Sequence, residues 1–447
     1  MGSIWERGAV LPKFETVKSD KKVDVLIIGG GMAGILCGHF LHERGVKFAV
    51  VEKDRIAGGV TRNTTAKITS QHGLIYHRLC RNFGQDKAAA YLRANEIALA
   101  QYKKMAAEID CDYEEKTNFI YTTEDKGKIL DEAEAVNQIG GKAIYTEQAE
   151  LPYKIEAAVG FAHQGQFNPL KFIAAVAEAL PIYEKSFVSK IDKEHFGYSV
   201  TVINDQGNTI KINADKVISA THFPFVDRYG MYFMKMYQQR SYVLALKGAA
   251  SVDAMYIGNR QKSDKLHNLS FRTYEDSLLI GGCGSRTGTK CGAFDELREA
   301  AKAYYPGSRE IAAWATQDCM TLDGIPYVGR YSKKKDGLYV ATGFNKWGMT
   351  SSMAAAMLLT GQMDRELAEI FRPDRSMMKP QLLVNGLETL KNFVKPVGRR
   401  CTHLGCALKW NGAEKTWDCP CHGSRFAEDG QVINNPAQKN LNRADRH

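Results

Sequence analysis

Two short blocks near the C-terminal end carry the residue types best able to do chemistry: Cys401-Thr402-His403-Leu404-Gly405-Cys406 and Cys419-Pro420-Cys421-His422-Gly423-Ser424. Each block offers one cysteine and one histidine as ligands, with a second cysteine beside them. Such a set suits a [2Fe–2S] cluster in which two histidines replace two cysteines on one iron. The same donors could hold a tetrahedral zinc ion. Zinc leaves the second cysteine of each block, Gly405 and Ser424 without a role. A plain disulfide cluster would ignore both histidines. Iron–sulfur clusters move single electrons, so the rest of the chain must supply or accept them.

The pattern C-x-H, fifteen residues (404–418), then C-x-x-H resembles that of Rieske proteins. The resemblance implies that Cys401 and Cys419 hold one iron and His403 and His422 the other. It also implies that Cys406 and Cys421 match the disulfide pair of the cytochrome-complex members. Ser424 resembles the serine whose hydroxyl bonds a cluster sulfide and raises the potential. Two positions on, high-potential members carry a tyrosine; here Phe426 has no O–H to donate. A cluster of lower potential than in the respiratory complexes is therefore expected.

A chain of 447 residues is too long for one small core and predicts two or three domains. The apolar share of 44% fits a globular protein, and no run approaches the ~18 apolar residues of a membrane span. Met1 to Lys22 shows no apolar leader core, which predicts a cytoplasmic protein. The net charge of +10 comes from scattered lysines and arginines and reads as a solvated surface. No nucleic-acid recognition motif accompanies it. Cys37, Cys80, Cys111, Cys283, Cys291 and Cys319 lack pairing spacing and read as reduced thiols.

The front of the chain positions a nucleotide. Val23 to Ile28 is a buried-strand run, followed by the G-x-G-x-x-G turn Gly29-Gly30-Gly31-Met32-Ala33-Gly34, a helix over Ile35 to Arg44, and a second strand, Phe48 to Val51, ending at Glu52 and Lys53. This is the full strand–turn–helix–strand–acid unit of dinucleotide sites. The pyrophosphate rests on the helix N-terminus, and Glu52 can bind the ribose hydroxyls.

The next segment, Gly58-Gly59-Val60-Thr61-Arg62-Asn63-Thr64-Thr65-Ala66-Lys67, resembles the second flavin-contacting loop of the D-amino-acid-oxidase-like (DAO) superfamily. Weaker matches follow: the strand beginning Phe187-Val188, the returning strand ending Ala220-Thr221, the Asp323-Gly324-Ile325-Pro326 turn, and Gly343 to Thr350 with Trp347, Gly348 and Met349 before a small-residue helix, Ser351 to Leu359. The resemblance covers roughly residues 20–365. It implies an α/β fold: a Rossmann-like FAD domain (about 20–74, 166–222 and 321–365) and a mixed-sheet substrate domain (about 75–165 and 223–320). Helices are expected over Arg81 to Ala106 and Lys126 to Ile139. Strands are expected over Ser241 to Leu246, Ser277 to Gly282 and Leu338 to Thr342. The FAD should be non-covalent, since Cys319 is not at the family's attachment spacing.

In that superfamily the flavin takes a hydride from a C–N bond and the protein chiefly orients substrate. No catalytic residue stands out. Lys67, His72 and His222 lie beside flavin-contacting segments. Arg240 and Arg272 could clamp a carboxylate or form structural ion pairs. Tyr242 and Trp347 could wall the pocket or belong to the core.

After residue 372 comes a Pro-flanked linker helix (373–396), apolar at helical spacing over Leu382 to Val394, and then a truncated, β-rich cluster lobe (397–447). So small a lobe is marginal alone. It is expected to dock through Leu382–Val394 on the flavin domain or on a neighbouring subunit of a homo-oligomer. The expectation is an FAD-dependent dehydrogenase that oxidises a small amine or amino-acid-like substrate and passes electrons singly, through the cluster, to an external partner. A reductase running electrons the other way, and a redox carrier or sensor without turnover, are the alternatives.

Overall fold

The computed structural model describes residues 2–226, 229–259, 268–289, 293–394 and 398–441. Cys291 lies outside them. Among the described residues three sheets organise the chain.

The first sheet has eight strands. At its centre, Lys21–Ile28 pairs in parallel with Thr209–Ser219 and with Phe48–Val51, and Leu338–Thr342 extends it in parallel beyond Thr209–Ser219. Val25 to Ile28 and Phe48 to Val51 form continuous runs because both sheet faces are covered. Met32–Glu43 packs against the sheet and against Gly348–Thr360, an almost wholly buried helix of small and apolar residues. Both predicted helices are present. Each begins at the end of a parallel strand, where ligands gather in such folds.

The second sheet has nine strands and is mostly antiparallel, with Met255–Gly258 parallel to Glu114–Thr122. Met236–Lys247 is flanked by Ser277–Arg286 and Arg309–Thr321. One face carries Tyr242, Leu244 and Ile280 into an apolar cluster. The other turns Val243, Leu279 and Trp314 toward the large core shared with the helices. Tyr242 is therefore core, set edge-on against Phe294. The predicted Arg81 to Ala106 helix is two helices, Tyr76–Phe83 and Gln85–Ala106, because Gly84 between them takes φ +85°.

The cluster lobe is more complete than its length suggests. Four short antiparallel strands, Lys409–Asn411, Thr416–Asp418, Arg425–Ala427 and Val432–Asn434, form its sheet. Leu408, Phe426, Ala437 and Leu441 pack its core together with four cysteines. Among the described residues no helix is long and apolar enough to cross a membrane.

Candidate functional site: a flavin cradle and a cluster lobe sharing one wall

The nucleotide turn is as tight as its glycines predict: a Cβ on Gly34 would lie 1.9 Å from the Gly29 carbonyl oxygen. No side chain at Gly31 caps the helix that starts at Met32, and no acid sits in its first turn. Thr61 Oγ1 accepts from the Met32 amide at 3.1 Å. Glu52 sits at the strand end, accepting from Gly30 N at 2.8 Å and Asp54 N at 2.9 Å, and burial pushes its carboxyl up. Lys53 is exposed beside Asp54. A helix start without a cap from Gly31, a glycine turn and a half-buried acid at the strand end are the features that a dinucleotide needs.

The other predicted flavin segments converge on this edge. Gly59 to Ala66 folds across it, with Ala66 fully buried. Two tryptophans fasten this loop: Trp5 Nε1 donates to the Thr64 carbonyl at 2.7 Å and Trp314 Nε1 to that of Asn63 at 3.1 Å. Trp5 is wholly buried, a role for the N-terminal segment that its sequence does not signal. Val188 is buried in Phe187–Lys193, at the side of the same sheet. Ala220 N bonds to the Ile28 carbonyl at 2.8 Å, setting Thr221 beside the glycine turn. Gly343 leads through Asn345 and Lys346, both at positive φ, to Trp347 and the helix holding Gly348, Met349 and Thr350. Thr350 Oγ1 donates to the Thr69 carbonyl at 2.7 Å, and Tyr102 donates to that of Met349 at 3.0 Å. Asn345, missed in the sequence, holds Thr321 N at 2.8 Å.

The candidate catalytic residues separate. Lys67 is buried, with Nζ donating to the Tyr256 carbonyl at 3.3 Å and to Ser270. Burial, reinforced by Arg272, holds its amine well below the usual lysine range. Arg272 is buried too; Nη1 donates to the carbonyls of Thr65 (2.8 Å) and Ala66 (3.1 Å), and burial lowers it to about 9. Its Nε and Nη2, Gln166 Oε1 and Asn118 Oδ1 have no protein partner although buried. His72 is a positioning residue: Nδ1 meets Tyr91 Oη at 2.6 Å, Nε2 meets the Thr69 carbonyl at 2.8 Å, and its ring stacks on Trp347. Burial lowers its pKa to about 3, so it is neutral. Arg240 is not a substrate clamp: its guanidinium forms a buried pair with Glu414 of the cluster lobe, Nε to Oε2 at 2.8 Å.

The cluster blocks fold as their residue types require. Cys401, Cys406, Cys419 and Cys421 are all buried, and the sulfurs of the last three lie within 4.8 Å of one another. Cys406 and Cys421, expected as a disulfide, are adjacent with their sulfurs unbonded. Cys401 shares a hydrogen bond with Cys419, which with burial pushes its thiol up. The rings of His403 and His422 stand 5.1 Å apart and nearly perpendicular. His422 Nδ1 is buried without a hydrogen-bond partner, and burial lowers the ring to about 3, the neutral form a metal takes. Ser424 Oγ accepts from Ala437 N at 3.0 Å, which leaves its O–H to donate beside Cys401. Two thiols, two imidazoles and an orphaned ring nitrogen fit a [2Fe–2S] cluster held by Cys401, Cys419, His403 and His422.

The two halves meet across a polar wall that no sequence pattern announced. Gln238 Nε2 donates to the carbonyls of His422 (2.8 Å) and Asn435 (3.0 Å). Gln317 Nε2 donates to Gly423 O and Gln238 Oε1, each at 2.8 Å. Arg286 donates to Pro420 O (2.8 Å) and Cys421 O (2.9 Å), and Asn435 Nδ2 to Thr221 O (2.8 Å). The approach is close: a Cβ on Gly423 would lie 2.5 Å from Cβ of Gln238. His422 stands edge-on to Phe233. His222 meets Gln238 Oε1 at 3.2 Å, and its carbonyl accepts from Thr342 Oγ1, so it lies between the flavin edge and the lobe. Docking thus runs through the cluster blocks and through the polar face of the linker helix, not through its apolar stripe. That helix, Pro380–Phe393, turns Asn385 and Asn392 inward and leaves Leu383, Leu387, Leu390 and Phe393 exposed. The inward asparagines are used: Arg286 Nη1 donates to Asn385 Oδ1 and Ala407 N to the Asn392 carbonyl.

Comparison with known proteins agrees with this geometry. The DAO family, FAD dependent oxidoreductase, matches residues 24–362, and the Rieske [2Fe-2S] domain matches residues 373–445. The chain is 33% identical to the Rieske 2Fe-2S iron-sulfur protein YhfW of Bacillus subtilis (strain 168), an alignment covering 99% of this chain and 97% of that one. Glycine oxidase from Geobacillus kaustophilus superposes with a TM-score of 0.63 at 19% identity, over 80% of this chain and 100% of that one. L-Proline dehydrogenase from P. horikoshii superposes with a TM-score of 0.64 at 19% identity, over 80% and 98%. With its glycine turn, its flavin loop and its cluster lobe in one body, the chain belongs to the DAO family of FAD dependent oxidoreductases, with a C-terminal Rieske domain and with FAD and a [2Fe–2S] cluster as its cofactors.

Proposed function

We propose that this protein is a dehydrogenase that removes a hydride from the carbon beside the nitrogen of a small amine or amino-acid-like substrate and releases the two electrons singly through the cluster to an external acceptor. When bound, FAD supplies the hydride acceptor and the cluster a one-electron centre. The observation that carries this reading is the shared wall: Gln238 touches the His422 carbonyl on one side and His222, beside the flavin edge, on the other. A cluster seated there competes with oxygen for flavin electrons, which favours a dehydrogenase over an oxidase. The folds of glycine oxidase and L-proline dehydrogenase support the substrate class.

In this reading residues 20–372 form the flavoprotein, 373–396 the linker and 397–447 the cluster lobe, and the protein works in the cytoplasm. Lys67 and Arg272 would orient the substrate or the flavin ring, since their wall holds buried polar atoms without protein partners. FAD is held non-covalently: Cys319 is packed in an apolar cluster, and burial pushes its thiol well up. The test is anaerobic addition of amines and amino acids, one at a time, to the purified holoprotein. At least one should bleach the flavin and raise the reduced-cluster EPR signal. Flavin bleaching that never reduces the cluster, or turnover with oxygen alone equal to that with an artificial one-electron acceptor, would overturn the reading.

A further inference from the structure

The two histidine edges of the cluster lobe differ. His422 is buried against the flavin domain. His403 is half-buried at the outer edge, next to Leu404, which is 40% exposed. Phe393 of the linker helix reaches this edge, since a Cβ on Gly405 would lie 3.8 Å from its ring. Phe393 is 56% exposed and Leu390, one turn back, 61% exposed. Apolar surface is thus continuous from the cluster's outer block onto the outward face of the helix. Cations collar it. Lys391 is exposed on the helix. Arg400 lies between the two, its Nη1 donating to the carbonyls of Phe393 (3.1 Å) and Gly405 (3.2 Å). Lys439 is exposed, and its carbonyl accepts from Thr402 Oγ1 at 2.6 Å. The helix's own carboxylate, Glu388, is half-buried and turned toward Asn392.

We propose that this patch, Leu404, Phe393 and Leu390 within the collar of Lys391, Arg400 and Lys439, is the docking surface for a small acidic one-electron carrier protein. The proposal rests on the reading above, that the cluster serves an external acceptor, and names that acceptor's chemistry. A basic collar attracts an acidic partner and sets its orientation. The small apolar centre suits the limited contact of transient redox complexes, below about 1,200 Å². Continuity with the outer ligand block places the patch where an electron leaves the lobe. The docked oxidised carrier takes one electron from the reduced cluster, whose iron returns to the ferric state; no bond forms or breaks.

The test uses holoprotein and an acidic plant-type [2Fe–2S] ferredoxin as probe, with basic cytochrome c as the control of opposite charge. Reduced ferredoxin is mixed with oxidised holoprotein and cluster reduction is followed by stopped flow. The second-order rate should fall roughly tenfold or more between low and high salt, and by a similar factor in the Lys391→Glu/Lys439→Glu variant. The cluster EPR spectrum should stay unchanged, and exchange with cytochrome c should quicken. Both lysines are exposed, and the salt series on the unaltered protein needs no variant to fold. Rates indifferent to salt and to charge reversal would overturn the proposal. So would binding to anionic phosphatidylglycerol vesicles that Leu390→Ser abolishes while ferredoxin exchange is untouched. The ferredoxin reduces the cluster directly, so these results do not depend on whether substrate-reduced flavin delivers electrons.

Discussion

Gln238 Nε2 donates to the His422 carbonyl at 2.8 Å across 184 residues of chain. This bond ties a strand of the flavin half to the backbone of His422, a candidate cluster ligand. The same amide also serves Asn435, Gln317 and His222, so it is the hub of the wall between the two cofactor sites.

Gln238→Leu should therefore loosen the lobe without removing a ligand. The carbonyls of His422 and Asn435 would lose this donor and the Gln317 amide one of its two acceptors, at about 1–3 kcal/mol for the group. Denaturant unfolding should show that loss, and limited proteolysis should release the lobe sooner. Gly423→Ala should act the same way, because Gly423 has φ +85° and no space for a Cβ. An unchanged proteolytic pattern in both variants would argue that the wall does not hold the lobe.

Arg240 and Glu414 form a second tie, in which Arg425 also reaches Glu414 Oε1 at 3.1 Å. Glu414→Gln strands a buried guanidinium and should cost about 3–5 kcal/mol. Arg240→Met combined with Glu414→Gln should recover part of that, since removing both charges avoids the unpaired one. A double-mutant cycle read by denaturant midpoint gives the coupling; additive losses would contradict the pairing.

Substitutions at Ser424 and Phe426 should move the cluster's potential in opposite directions. Ser424→Ala removes a hydroxyl beside Cys401 and should lower the potential. Phe426→Tyr adds a donor and should raise it. A hydrogen bond to a charged group, at about 1.5–3 kcal/mol, corresponds to about 60–130 mV for one electron. Redox titration followed by EPR checks both, and a shift of the wrong sign in either would refute the assignment.

Glu132 supplies a pH dependence. It is fully buried, accepts from Tyr76 N and His77 N at 2.8 Å each, and burial pushes its carboxyl up to about 7. Because the folded value lies above the unfolded one, its favourable contribution is complete at low pH and is lost as pH rises through about 7. Glu132→Gln cannot ionise, so relative to the unaltered protein it should gain stability between pH 5 and 8, on the order of 1–3 kcal/mol. Thermal unfolding of both proteins across that range measures it; parallel curves would show that Glu132 does not titrate there.

Much of the cofactor chemistry was legible in the residues themselves. The glycine turn, Glu52 and the two Cys–His blocks each lie in short contiguous stretches whose spacing mirrors local geometry. The helix at 380–393 was equally legible as a helix, but not the face it shows. Apolar spacing predicted that Leu382–Val394 would dock, whereas Asn385 and Asn392 point inward because Arg286 and Ala407 meet them there. Arg240 stayed open between a carboxylate clamp and a structural ion pair because nothing near it in sequence reveals Glu414, 174 residues on. Trp5 gave no signal because its partners, Thr64, Tyr274 and Trp314, come from three distant segments.

By itself, then, the sequence determined which cofactors the chain holds and which residues could hold them. Ligand type and spacing, and the need for glycine where backbone meets backbone, are short-range constraints. Only the tertiary structure decided how the two sites face one another, with His422 turned into the flavin half and His403 toward the outside. That choice rests on pairing polar groups at the wall, the buried Gln238 and Gln317 and the half-buried Arg286 and Asn435. Each is costly to bury alone, and its partner is brought to it only when the whole chain folds.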